Sequence, residues 1–353
     1  MSFYSGTIER GAEVFIHELA SHLGLHHKVI LIQAGSNTRL RTTYQTKVIR
    51  MAVNWETCGR KLSIRDRIFA DYWSRSIGKF TMRALKELDQ ADIVVPVDGG
   101  WESLLARLRT WKSGANMVVT GHSGMGWDDR VNLFAHPNVF VALSNFQANW
   151  ARKNGFGVKV VKIPNGVDLI KFSPSTKNKQ IKLPGPIILC VGALEPNKRI
   201  ELVIKAVSKM KIGNLVLVGE GSLNKEIYRL GRGLLGERFK HIPHVAHNEM
   251  IPFYRSANVF TLPTVAWEPF GLVYLEAMAS GLPVVAPDDP IRREIIGNAG
   301  MFVNPDNANT YAAVLAKTMV TNWGEKPRLQ AVKFSWEKIS SEYEKLFVSL
   351  RKK

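Results

Sequence analysis

Trp267-Glu268-Pro269-Phe270-Gly271-Leu272-Val273-Tyr274-Leu275-Glu276-Ala277-Met278-Ala279-Ser280-Gly281-Leu282-Pro283-Val284-Val285-Ala286 is the stretch that organises this chain. The apolar run ahead of it, Val259 to Leu262, predicts a strand. A loop with proline and glycine follows. Leu272, Leu275 and Met278 then recur at the spacing of one helical face, and Gly281 and Pro283 stop that helix. Val284, Val285 and Ala286 open the next strand. Glu268 falls in the loop before the helix and Glu276 on its second turn, with seven residues between them. Both are expected at the carboxyl end of a parallel strand, where open α/β sheets bind ligands. The unpaired amides of Phe270, Gly271 and Leu272 open the helix and suit an anionic phosphate. The plain alternative is a helix with one solvent-facing glutamate and one favoured by the helix dipole.

Outward from this stretch, strand and helix alternate along the whole chain. Ile93 to Val97, Met117 to Thr120 and Val139 to Leu143 read as short buried strands, with helices expected at 101–112 and 145–153. Earlier, residues 9–24 predict a helix with Val14, Phe15, Leu19 and Leu23 on its apolar face, and Lys28 to Gln33 a strand. Later, Ile187 to Val191 and Leu215 to Val218 predict strands, and 247–256, 307–319 and 325–350 predict helices. A length of 353 residues has room for two cores. The junction falls near Pro164-Asn165-Gly166-Val167-Asp168, and the polar run Ser173 to Lys182 reads as a linker.

Hydrophobic residues at 45% and charged residues at 22% suit a globular chain. Cys58 and Cys190 make no disulfide framework, and Cys190 reads as a core thiol. No apolar run approaches the ~18 residues of a membrane span. Met1 to Gly6 has neither the basic start nor the apolar region of a signal peptide, so a cytoplasmic protein is expected. The formal net charge of +18 favours anionic partners: nucleotides, anionic lipid or nucleic acid. No zinc-finger spacing, aromatic RNA-binding signature or Walker loop accompanies it, so no specific nucleic acid is expected. Residues 60–88 predict a long helix broken near Gly78, and 60–86 hold eight basic residues against two acidic. That pattern suits either an acceptor or membrane face or an ordinary solvated helix.

Glu-x7-Glu followed by Ala-Met-Ala-Ser-Gly-Leu-Pro-Val-Val-Ala resembles the retaining glycosyltransferases of family 4, over nearly the whole chain. The resemblance implies the GT-B architecture, two Rossmann-like α/β domains facing each other across a cleft. The expected parts are an acceptor domain at 1–170, a nucleotide-sugar donor domain at 171–334, and a helix at 335–353 that crosses back to the first domain. It implies transfer of a sugar from a nucleotide-diphosphate donor, with retention at the anomeric carbon and no separate cofactor. The acceptor and the donor base stay open.

The resemblance also implies residue roles. Glu276 would hold the ribose hydroxyls and Glu268 the donor sugar hydroxyls. Lys198 matches a lysine that holds the donor diphosphate, but the partner arginine is replaced by Ala193, and Arg199 is the candidate substitute. The amides of Phe270, Gly271 and Leu272 would complete the phosphate site. His122, directly after a strand, would touch the donor sugar. Gly11, with Glu13, Leu19 and Ala20, matches the glycine loop before the first helix, one place displaced. The family's first strand has only Met1 to Gly6 in its place, so a stub is expected there. Gly219-Glu220-Gly221 resembles the family's glycine turn, a weak nucleotide signal. Asp128-Asp129 and Asp288-Asp289 lack the Asp-x-Asp spacing of a metal-held diphosphate, so no metal is expected. The competing readings are a non-hydrolysing sugar-nucleotide epimerase on the same fold and a basic, non-enzymatic nucleic-acid or membrane binder.

Overall fold

Short β-branched runs bounded by turn residues become strands here because both of their faces are covered, which lets them be apolar throughout. The computed structural model describes residues 1–8, 10–35, 43–53, 69–175, 183 and 185–351. Cys58, the 60–68 part of the basic stretch and most of the proposed linker lie outside the described residues. The chain divides into two units. One holds the residues up to Gly166 together with those from Trp336 onward, and the other runs Val167–Ser335.

In the first unit the elements are α1 (Gly11–Leu23), β1 (Ile30–Ala34), β2 (Gln45–Ile49), α2 (Tyr72–Ala84), β3 (Ile93–Val94), α3 (Trp101–Ser113), β4 (Asn116–Thr120), α4 (Trp127–Phe134), β5 (Val139–Ala142), α5 (Asn145–Asn154) and β6 (Lys159–Lys162). All pairings are parallel, in the orders β1-β2 and β3-β4-β5-β6. Residues 1–4 lie between these ladders. Ser2 forms a single parallel bridge with Gln33, and its amide donates to the Ile32 carbonyl at 3.0 Å. The Met1 amino group donates to the Val95 carbonyl at 2.7 Å on the other side, and Phe3 and Tyr4 are buried.

The second unit holds β7 (Ile187–Val191), α6 (Ile200–Ser208), β8 (Asn214–Val218), α7 (Asn224–Leu235), β9 (Phe239–Ile242), α8 (Ile251–Ser256), β10 (Val259–Thr261), α9 (Leu272–Ala279), β11 (Val284–Pro287), α10 (Pro290–Ile296), β12 (Gly300–Val303), α11 (Ala308–Val320) and α12 (Lys326–Val332). Its parallel sheet has the order β12-β11-β10-β7-β8-β9. Strands β7 to β9 are laid one way and β10 to β12 the other, so the order reverses between β7 and β10. Cys190 is buried in β7, where burial pushes its thiol up.

The last helix, α13 (Trp336–Leu350), belongs to the first unit. Trp336, Ile339, Tyr343 and Leu346 recur at helical spacing and pack with Phe15, Leu19 and Leu23 of α1. The helix therefore returns to the N-terminal unit, as expected. Gly78 is a different case. It does not break α2, which runs unbroken through it. A glycine weakens a helix by about 1 kcal/mol, too little to break one that packs against Trp101 of α3, which a Cβ at Gly78 would meet at an ordinary contact distance of 3.5 Å. The predicted 325–350 helix is interrupted at 333–335, where Val167 donates to the Phe334 carbonyl at 2.8 Å. Among the described residues no helix is long and apolar enough to cross a membrane.

Candidate functional site

The reversal of strand order leaves the loops after β7 and β10 side by side at the carboxyl edge of the second unit's sheet. Each carries a predicted site residue. After β7 a short 3-10 turn, Pro196–Lys198, ends at Arg199, whose φ of 50° lies in the left-handed region. After β10 the chain runs through 262–271 to α9. Lys198 Nζ donates to Glu268 Oε2 at 2.6 Å, and both side chains are mostly covered, 17% and 14% exposed. Two residues seventy positions apart thus meet because their strands are neighbours.

The loop that carries Glu268 is held almost carbonyl by carbonyl. Tyr274 Oη donates to the Leu262 carbonyl at 2.6 Å. Arg199 Nε donates to Pro263 O at 2.9 Å and its Nη2 to Thr264 O at 3.3 Å. Arg292, fully buried, donates from Nη2 to Val265 O at 3.2 Å and Ala266 O at 3.0 Å, and from Nη1 to Glu268 O at 2.7 Å. Its Nε pairs with Asp289 at 2.7 Å, and the same carboxylate caps α10 through the amides of Ile291 and Arg292. A buried carbonyl without a donor costs about 1–3 kcal/mol, so these three side chains hold a partly buried irregular loop in place. Arg199 therefore does not join Lys198. Its left-handed backbone turns the guanidinium onto the loop and onto Asp306 at 3.1 Å.

Helix α9 starts without a side-chain cap. Gly271 before it has φ 91°, and a Cβ there would meet the Tyr274 ring at 2.7 Å. Just ahead of the helix Phe270 is buried edge-on against Phe334 at 6.2 Å. On the second turn Glu276 is buried, with Oε1 accepting from His247 Nε2 at 2.8 Å and Oε2 from Tyr254 Oη at 2.6 Å. Burial pushes this carboxyl up, but the pull of His247, Tyr254 and Lys171 outweighs burial and holds it below its ordinary value. His247, Tyr254 and Arg292 belong to no motif, and only the unexplained polar residues at buried spacing could have signalled them.

Two glycine signals have a packing cause. A Cβ on Gly219 would lie 2.0 Å from the Gly192 carbonyl, and one on Gly221 would lie 2.6 Å from that of Leu194. The turn after β8 thus crosses the loop after β7, and Leu194 donates to Glu220 O at 3.0 Å. Three of the four residues in the aspartate pairs, Asp129, Asp288 and Asp289, are engaged in structural contacts. Asp288 pairs with Arg293 at 2.8 Å, and Asp129 is buried against Asn132 and Gln147.

The remaining predicted residues lie in the first unit. Gly11 is the exposed first residue of α1. Behind it Glu13 is buried and paired with Arg10. His122 follows β4 with its ring centroid 4.3 Å from that of Phe15. Its Nε2 is buried without a partner among the described residues, and burial pushes the imidazole down to about 3. Burial thus disfavours the charged imidazole at this position.

A family model described as Glycosyl transferases group 1 matches residues 173–330, and one described as Glycosyltransferase Family 4 matches 10–171. Over 182 residues the chain is 31% identical to a phosphatidyl-myo-inositol mannosyltransferase of Mycolicibacterium smegmatis, covering 50% of this chain and 46% of that one. The chain thus spans about half the length of the curated relatives it matches. Among solved structures it resembles sucrose-phosphate synthase from Thermosynechococcus elongatus, with a TM-score of 0.77, 20% identity, and 97% and 94% of the two chains covered. HepE of Anabaena in complex with UDP-glucose gives a TM-score of 0.77 at 16% identity, with 99% and 98% covered. Parallel sheets in two units, the Glu-x7-Glu loop and helix at a switch point, and two family models that together take in almost all of the sequence lead to one conclusion: this chain belongs to the group 1, family 4 glycosyltransferases of GT-B fold.

Proposed function

We propose that the protein transfers a sugar from a nucleotide-diphosphate donor to an acceptor hydroxyl, with retention at the anomeric carbon. The observation that carries this is the Lys198–Glu268 pair at the strand-order reversal, beside the uncapped start of the helix that bears Glu276. Sugar transfer separates an oxocarbenium-like sugar from a diphosphate whose negative charge grows, and both need fixed charges already in place. Lys198 and the amides of Gly271 and Leu272 meet the diphosphate. Glu268 takes the hydroxyls of the donor sugar and, before the donor arrives, holds the Lys198 ammonium where the phosphate will lie. Glu276 takes the ribose hydroxyls. The departing phosphate helps to deprotonate the acceptor, so no side chain acts as nucleophile. The HepE complex with UDP-glucose supports a nucleotide sugar as donor.

The acceptor is proposed to be presented at an anionic membrane surface, with the protein peripheral to the cytoplasmic face. Helix α2 contains no acidic residue, and Arg75, Lys79 and Arg83 are exposed on it together with Tyr72 and Met82. Neighbouring α3 exposes Leu108 and Trp111. Bases beside aromatic and aliphatic groups suit a lipid headgroup layer, and the relative named for phosphatidylinositol supports a lipid-borne acceptor. A thermal-shift panel of nucleotide sugars tests the donor reading, since a ligand of the folded state raises its melting temperature. Stabilisation by at least one nucleotide sugar, with free nucleotide released only when acceptor is supplied, is expected. No shift with any member refutes it, and acceptor-independent release points to the epimerase. Salt-sensitive DNA binding with no nucleotide-sugar binding points to the non-enzymatic reading.

A further inference from the structure

The Glu276 carboxylate is gripped from behind at both oxygens. His247 comes from the 3-10 turn His247–Glu249, which follows β9, and Tyr254 from α8. The far side of the imidazole faces Lys171, whose Nζ lies 3.3 Å from Nδ1. An ammonium can only donate, so Nδ1 accepts and Nε2 carries the proton that is offered to Glu276. The ring is further packed by Phe172, with centroids 5.5 Å apart, and Phe172 also meets Tyr254 at 5.9 Å. The segment of Lys171 and Phe172 is itself fixed. Arg328 donates to the carbonyls of Leu169 at 2.7 Å, Phe172 at 2.6 Å and Ala279 at 2.6 Å, so the segment is tied to the end of α9. Each carboxylate oxygen has a second acceptor site. With one site on each oxygen used by His247 and Tyr254, the two that are left serve one pair of neighbouring hydroxyls.

We propose that His247, held between Lys171 and Glu276, is a positioning residue that sets the Glu276 carboxylate for the 2′ and 3′ hydroxyls of the donor ribose, with Tyr254 setting the other oxygen. This rests on the ribose reading of Glu276. A carboxylate on a free three-torsion side chain would pay rotamer entropy each time it met the diol, whereas one already bonded at both oxygens does not. The imidazole acts through Glu276 and makes no contact of its own with the nucleotide.

The experiment is calorimetric titration of the full chain with UDP and GDP and with their 2′,3′-dideoxy counterparts. In the parent the ribonucleotide of the accepted base binds more tightly than its dideoxy form. In His247→Ala the ribonucleotide is expected to lose about tenfold in affinity, near the lower end of what one hydrogen bond to a charged group contributes, while the dideoxy form changes less than about twofold. The preference for ribose therefore narrows. His247→Gln, whose amide nitrogen can take the place of Nε2, restores it, and Tyr254→Phe narrows it as His247→Ala does. Equal loss for both nucleotides in His247→Ala means a merely structural role or a base contact, and overturns the proposal; so does an unchanged preference. Glu276→Ala tells the two levels apart. If it abolishes the ribose preference while His247→Ala leaves it intact, only the positioning role fails. If Glu276→Ala leaves the preference unchanged, or the parent binds neither UDP nor GDP, the ribose reading fails and the proposal falls with it.

Discussion

Arg292→Met is the substitution that most directly tests how the Glu268 loop is held. Arg292 is fully buried and makes four hydrogen-bonded contacts that matter: the carbonyls of Val265, Ala266 and Glu268, and the carboxylate of Asp289. Methionine fills much of the same volume but offers no donor. Three carbonyls and one buried carboxylate lose a partner together. Removing one member of a buried charged pair costs about 3–5 kcal/mol. The carbonyl losses are not added to that, since the loop lies at the sheet edge and can relax toward water. For a unit of this size each kcal/mol lowers the melting temperature by about 2–4 °C, so a fall of roughly 6–20 °C is expected. Arg292→Lys keeps a charge beside Asp289 but cannot fork onto three carbonyls, and should fall between variant and parent. The assay is thermal unfolding followed by circular dichroism, with nucleotide affinity measured well below the transition. Because Glu268 O is one of the lost contacts, turnover should fall further than nucleotide binding. Melting of Arg292→Met within about 2 °C of the parent, the effect of under one kcal/mol, would refute the view that this guanidinium holds the loop.

Three other outcomes follow from the same geometry. Glu276→Ala should weaken nucleoside diphosphate binding about tenfold to a hundredfold, whereas Lys198→Ala should lower turnover more than donor affinity because its partner charge grows in the transition state; calorimetry and steady-state rates separate the two, and equal effects on both parameters by both variants would contradict the assigned roles. Neutralising Arg75, Lys79 and Arg83 together should weaken binding to anionic vesicles about a hundredfold, at roughly 1 kcal/mol per charge, and co-sedimentation that is the same for anionic and neutral vesicles would remove the membrane reading. Burial pushes the Asp129 carboxyl up to about 8 from an ordinary 3.8, so the folded state prefers it protonated; that contribution is full below the ordinary value and is lost as pH rises toward 8. Urea unfolding across that window should show stability falling with pH in the parent and a flatter profile in Asp129→Asn, and parallel profiles would count against it.

What could be read from the sequence and what could not divide along a physical line. Strand runs, the amphipathic face of α13 and the Glu-x7-Glu helix are local patterns, and local periodicity is visible in one dimension. Side-chain direction is not. The charge of Arg199 is visible in the sequence, while its hydrogen bonds to the Pro263 and Thr264 carbonyls are not. Gly78 looked like a break because glycine is a poor helix former, but its cost of about 1 kcal/mol is small beside the packing of a whole helix, and α2 runs through it. The groups that hold the site act over distances no motif spans: His247 and Tyr254 reach Glu276 from 29 and 22 positions away, and Arg292 reaches the Glu268 loop from 24 to 27. Each is needed because a ligand site at a sheet edge is built on irregular backbone and on carboxylates that must stay charged while largely covered. Irregular backbone needs donors for its carbonyls, and covered carboxylates need donors for their oxygens. A motif names the residues that meet the substrate. The residues that make those positions tenable are brought to them by the fold, from parts of the chain that no local pattern connects.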